Sequence, residues 1–183
     1  MIAFLSGLGL WTLLEYVLHR FVFHERRLGK RASAGHLEHH AKVDWFVPWR
    51  RKIAAAVGVL GGLCLVTVPL GGLAVGSSLA AGIVAGWLAY EALHRAIHVL
   101  PPRTAYGRWA RRHHLHHHFV DPASNHGVSS PIWDLVFRTY APVRTVRVPP
   151  RQAAKLPWLL VDGRVAPGLE GTYRVPDHPA RSA

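Results

Sequence analysis

Apolar and charged positions separate into blocks along this chain. Met1 to Leu14 carries no charged side chain, and Ile53 to Tyr90 carries no Asp, Glu, Lys, Arg or His. A bilayer core takes about 20 apolar residues per helix. The longer block therefore predicts two spans, broken near Pro69-Leu70-Gly71-Gly72, residues suited to a tight turn. The first block, running on to about Phe23, predicts another span. It lacks the basic start and small-residue cleavage site of a secretory signal. Residues 24–52 read as a polar, aromatic loop with a short helical piece, and 53–99 as a helical hairpin. A His-rich helix is expected near 104–119 and a short amphipathic segment at 131–140. From Pro142 the chain is rich in proline and arginine without a period, which predicts loops with little regular structure. The expected fold class is an all-α integral membrane protein of about three transmembrane helices with a cytoplasmic helical cap. Its domains are a membrane domain over 1–140 and an irregular cytoplasmic tail over 141–183.

Charge fixes the orientation. The 183 residues carry a formal net charge of +12, and half are hydrophobic. Arg20, Arg26, Arg27, Lys30 and Arg31 follow the first span; Arg50, Arg51 and Lys52 precede the second; Arg95, Arg103, Arg108, Arg111 and Arg112 follow the third. The Leu70–Leu73 turn has none. By the positive-inside rule, the 24–52 loop and everything after about residue 93 are cytoplasmic, and the parity of three spans closes. The positive charge is a topology signal rather than a nucleic-acid footprint. Arg20, Arg95, Arg111 and Arg112 are read as helix anchors more than as headgroup holders. Cys64 lies inside an apolar span, so no internal disulfide exists. Spacings such as Gly58/Gly62, Gly72/Gly76 and Gly82/Gly86 allow close helix contact, with the other half of the hairpin as the expected partner.

Fourteen histidines are the chemical signal. They cluster as His19 and His24; His36, His39 and His40; His94 and His98; and His113, His114, His116, His117 and His118, with His126 apart and His178 a bystander in the tail. Every cluster abuts a predicted cytoplasmic membrane end. Residues three and four apart share a helix face, so 36/39/40, 94/98 and 114/117/118 can each present imidazoles to one side. His19 and His24 lie five apart, about 140° round an ideal helix. Either the helix ends between them or they serve two ions. About ten imidazoles exceed what one ion uses and fit two ions, each with a vacancy. Imidazole suits zinc, copper, iron and nickel alike. Glu15, four before His19, and Glu91, three before His94, are expected to orient imidazoles and temper the charge, because carboxylates at membrane depth are costly. Glu38 and Asp134 are further candidates.

The segments LHRFVFH, HLEHH, YEALHRAIH and HHLHHHF, in that order around a hairpin, resemble the fatty acid hydroxylase and sterol desaturase superfamily. The run from Asn125 to Phe137, NHGVSSPIWDLVF, resembles its C-terminal signature. The resemblance implies a di-metal centre of two non-haem iron ions (zinc being expected in some purified samples) with O2 as co-substrate, oxidising a lipid C–H bond. Its ligands would be His19, His24, His36, His39, His40, His94, His98, His114, His117 and His118, with His113, His116, Asn125, His126 and Asp134 as outer partners and Trp133 in the signature segment. His114/117/118 is preferred to His113/116/117 because Phe119 then follows the pair as in the family pattern. The metal centre itself does the chemistry, and no separate acid or base is assigned. Two departures from some members stand out: His98 is followed by Val99 rather than a second His, and these 183 residues include no cytochrome b5 domain. The expected partners are a bilayer lipid and a separate electron donor of cytochrome b5, ferredoxin or reductase type, with no nucleic acid. Hydroxylation and desaturation both stay open. A carotenoid hydroxylase is the rival reading. A metal transporter is remote, since 53–90 offers no ligands along a path.

Overall fold

The structure, a computed structural model, describes residues 1–176; His178 lies outside them. Helix α1 spans Ile2–Val17 and continues as a π-helical segment, Leu18–His24. Helix α2 spans Lys30–Ala41, α3 Trp49–Val99 and α4 Ala105–Phe119. Short elements follow: α5 Ile132–Val136, β1 Val146–Arg147, α6 Pro150–Ala153, β2 Leu160–Val161, β3 Arg164–Val165 and β4 Tyr173–Arg174. The first helix with its π continuation, and α3, are each long and apolar enough to cross a membrane.

Helix α3 is two arms. Pro69 removes one backbone donor, and Gly72 takes φ 78°, ψ 165°, a conformation that only glycine adopts cheaply. Lys52 pairs with Glu91, and Val68 meets Gly76. Both pairs centre on residue 72, so the arms fold back antiparallel. Ile53, Val57, Leu65, Val66 and Leu70 stay exposed on the first arm. In water that would be a large apolar patch; in a bilayer it faces lipid.

Helix α1 packs on the second arm. Trp11 covers Gly86, and its ring lies 5.7 Å from that of Tyr90. A side chain on Gly82 would strike the backbone of Phe4 and Gly7, with Gly7 Cα at 3.0 Å. Gly76 does meet the hairpin's other arm, but Gly82 and Gly86 admit α1 instead, and Gly58 and Gly62 meet nothing among the described residues. The G82L variant should therefore lose about 1–3 kcal/mol by overpacking, while G58L is silent. Thermal unfolding in detergent reads both. An unchanged G82L midpoint would contradict the close α1 contact.

The tail has little regular structure, as expected, but it is packed. Val146, Val148, Ala153, Leu156, Trp158, Leu159 and Tyr173 are buried with Val43, Ile97, Ala110 and Leu115 in one core. β1 pairs in parallel with β4, and β2 with β3 in a hairpin. That hairpin turns on Asp162 (φ 49°) and Gly163 (φ 76°), the Asp-Gly pair favoured where both residues need positive φ. The core packs against the last turn of α3. Trp158 Nε1 donates to the His98 carbonyl at 3.0 Å, and Arg111 donates to the carbonyls of Ala96, Ile97 and Leu100. Arg111 is thus a helix anchor at the C-terminal turn of α3, where the Ala96 carbonyl also accepts from the Leu100 amide at 3.0 Å.

Candidate metal centre

The structure brings together all ten histidines named as candidate ligands, in two groups of five. One holds His19, His24, His36, His40 and His117; the other holds His39, His94, His98, His114 and His118. Within each group the ring nitrogens lie within 4.8 Å of one another. The i, i+4 pairs 36/40, 94/98 and 114/118 each stay in one group, while His39 and His117 turn to the other. The three-histidine boxes therefore divide, which the single-face reading of their spacing did not anticipate. Helices α2 and α4 consequently run along the seam between the groups, where the His40 and His118 rings stack 3.9 Å apart.

The π-helical segment resolves the five-residue spacing of His19 and His24. Hydrogen bonds from i to i+5 stack residues five apart, and the Glu25 amide reaches back to the Arg20 carbonyl at 2.9 Å. The two rings come 5.1 Å apart in one group. The helix neither ends between them nor sends them to different groups.

Backbone carbonyls set the tautomers. Nδ1 of His39 donates to Trp45 O at 2.7 Å, Nδ1 of His117 to Ser124 O at 2.7 Å, and Nδ1 of His19 to the carbonyl of His126. A carbonyl only accepts, so each Nδ1 carries the proton and each Nε2 a lone pair. Those lone pairs point into the groups. His39 Nε2 lies 3.0 Å from His94 Nε2 and 3.2 Å from His98 Nε2; His24 Nε2 lies 2.9 Å from both His36 Nε2 and His117 Nε2. Nε2 of His19, His40 and His118 is buried without a partner among the described residues. Buried acceptors left facing one another are costly, and a cation at the centre of each group satisfies them. Nitrogens about 2.1 Å from an ion stand about 3.0 Å apart at right angles and about 3.4 Å apart at tetrahedral angles. The observed 2.9–3.2 Å is close enough for these nitrogens to share one ion. Burial also pushes the pKa of His36, His114, His117 and His118 well down, and that of His39 to about 4. These imidazoles stay neutral near pH 7 and present as ligands without first losing a proton.

The outer partners sort differently from expectation. Asp134 is the centre of the signature loop: its carboxylate accepts from the amides of His126 and Gly127, each at 2.8 Å, from Thr139 Oγ1 at 2.8 Å, and from His113 Nε2 at 3.3 Å. Burial pushes its carboxyl up, but those hydrogen bonds overcome it and hold the pKa below the usual range. Asn125, at φ 56°, closes the loop through the Ala141 carbonyl and amide. His126 acts through its carbonyl on His19. His116 is in neither group. Two expectations are corrected. Glu15 binds no imidazole; its oxygens take the amides of Val128 and Ser129 and the Ser129 hydroxyl, pinning the same loop to α1. Glu91 pairs with Lys52 instead. Glu38 likewise pairs with Lys42, on the surface. The carbonyls of Trp45 and Ser124 were missed, and no sequence signal marks them, since any residue supplies a carbonyl.

Beside both groups lies a cavity of about 540 Å³. Its inner wall includes His19, His36, His39 and His94; its length runs between α1 and the two arms of α3, past Trp11, Leu14, Ala56, Val59, Ile83 and Trp87.

Residues 4–139 match the model of the fatty acid hydroxylase family. A fatty acid 2-hydroxylase of Macaca fascicularis is 33% identical over 152 residues, covering 76% of this chain and 39% of that protein. A dihydroceramide fatty acyl 2-hydroxylase of Arabidopsis thaliana is 30% identical over 141 residues, covering 73% of this chain and 58% of its own length. The chain thus spans well under two thirds of these relatives. A solved structure of full-length scs7p, in which only the hydroxylase domain is visible, superposes with a TM-score of 0.63 at 27% identity, covering 77% of this chain and 56% of that one.

Proposed function

The chain belongs to the fatty acid hydroxylase family, and on that ground we propose that it hydroxylates a lipid acyl chain with O2 at a centre of two iron ions, one in each histidine group. The observation that carries this reading is the shared cavity: both groups line one end of a space whose other walls are mostly apolar, with Glu15, Arg31, Arg51, Lys52 and Glu91 among them. Iron would supply the O2 activation that side chains lack. The protein's share is placement. Carbonyls fix His19, His39 and His117 with Nε2 inward. Burial keeps the cap imidazoles neutral. Tyr90 stacks on His94 at 5.6 Å, and the apolar walls hold an acyl chain while excluding water. Five imidazoles in each group would hold one ion through nitrogen donors that suit iron. The helices cross the membrane three times, the histidine groups lie on the cytoplasmic face, and a separate donor provides electrons. The relatives' names put the carbon beside the carbonyl first among positions to test, and they lend the carotenoid reading no support.

Expression in a host lacking such an enzyme, grown under ¹⁸O2, tests the proposal by lipid mass spectrometry. Hydroxylated acyl chains carrying ¹⁸O are expected. Chains two mass units lighter, without oxygen, would mean desaturation, and unchanged lipids would sink the reading. The A56W variant, which narrows the cavity, should move the product towards shorter chains, since each displaced methylene costs roughly 1–3 kcal/mol. An unchanged chain-length profile would place the acyl chain elsewhere.

A further inference from the structure

Helix α5 presents two faces of opposite meaning. Inward, Asp134 is fully buried and Trp133 Nε1 donates to Thr12 Oγ1 at 2.9 Å. Outward, Ile132 (54% exposed), Leu135 (57%), Val136 (60%) and Phe137 (41%) form one apolar patch. Nothing in the metal chemistry uses it.

Its depth can be measured along the hairpin. Trp11 meets Gly86 and Tyr90, which follow Gly72 by 14 and 18 residues, or about 21 and 27 Å at 1.5 Å per residue. Thr12 is the next residue of α1. The α5 segment therefore sits in the last stretch before the charged boundary marked by Lys52–Glu91, inside a hydrocarbon layer of about 30 Å. Tyr16 holds the segment at that level: its ring stacks on Phe137 at 5.0 Å, and its hydroxyl bonds Thr139 Oγ1 at 2.9 Å.

A basic rim adjoins the patch. The guanidinium groups of Arg20 and Arg27 lie 4.9 and 4.7 Å from the Phe21 ring, which in turn lies 6.4 Å from Phe137. Arg20 also donates to Tyr16 at 2.9 Å, and Arg138 is exposed beside Thr139. Glu25, which pairs with both Arg20 and Arg27, offsets one of these three charges. Apolar side chains below and cations above match the acyl edge and phosphates of a leaflet.

We propose that residues 132–140 form an interfacial foot embedded in the leaflet on the histidine-bearing side, so that the signature segment binds membrane lipid as well as the metal cap. Through Asp134 the foot is tied to the loop whose His126 carbonyl orients His19. This rests on the reading that the apolar arms lie in a bilayer.

The test uses the full chain in vesicles of phosphatidylcholine with phosphatidylserine. In a C64S background, single cysteines replace Leu135, Val136, Leu65 on the hairpin and Arg151 on α6, each bearing a nitroxide. The ratio of relaxation by O2 to relaxation by a water-soluble nickel chelate should be similar at 135, 136 and 65, and several-fold higher there than at 151. A ratio at 135 and 136 like that at 151, with 65 in lipid, overturns the foot alone. Shielding of 135 and 136 from both reagents means that protein covers the patch, and overturns it too. A ratio at 65 like that at 151 removes the membrane premise itself.

Discussion

Replacing His39 with alanine should remove one metal ion of two, and replacing His117 should remove the other. Each is the member of its box that turns to the opposite group, and each Nε2 is aimed by a carbonyl on its own Nδ1. His39 Nε2 sits close to both His94 and His98, and His117 Nε2 close to His24. Loss of either empties a corner of one group without touching ligands of the other. Elemental analysis of detergent-purified protein should give about two ions per chain, about one in H39A or H117A, and near none in the double variant. Altering outer partners of a metal site costs about 10–100-fold, so hydroxylation by either single variant should fall by more than about 100-fold. The H116A variant, which touches neither group, should keep both ions. Two ions retained in H39A would sink the two-group assignment.

The four boxes and the hairpin with its break beside Gly72 were legible because each depends on residue type and spacing. What stayed hidden depends on backbone geometry. A spacing of five reads as divergence unless the helix is π-wound, and nothing in LHRFVFH announces that winding. HLEHH reads as one face; only the seam between two groups shows that His36 and His40 part from His39. Glu15 was noticed for its depth, correctly, but its partners are amides of a loop more than a hundred residues away. The packing of the tail is not legible because Val146, Val148, Leu156, Trp158 and Leu159 recur without a period among prolines and arginines. Its Asp162-Gly163 pair, between Val161 and Arg164, is a hairpin signal present in the sequence.

Asp134 is the position where an isosteric change should do most harm away from the ions. Oδ1 accepts from the His126 amide and Thr139, Oδ2 from the Gly127 amide and His113. In D134N one oxygen becomes an amide group facing donors, so at least one backbone N–H is left buried and unpaired. Hydrogen bonds to a charged group contribute about 1.5–3 kcal/mol each, so two lost bonds should cost about 3–6 kcal/mol and lower the unfolding midpoint by roughly 10 °C. The sign of the pH effect follows from a carboxyl held low in the fold. Its stabilisation is full above the unfolded value near 3.9 and is lost only as pH falls through the lower native one. Wild-type stability should therefore carry this contribution unchanged from pH 8 to about pH 5 and lose it below pH 4, while D134N lacks it throughout. The damage should also be one-sided. The loop that Asp134 holds aims the His126 carbonyl at His19, whereas His39 is aimed by Trp45. Metal affinity should drop about 10–100-fold in the His19 group and stay unchanged in the His39 group, so that dialysis against a weak chelator leaves D134N with one ion where wild type keeps two. Equal loss from both groups would show that Asp134 supports the cap as a whole rather than one ligand.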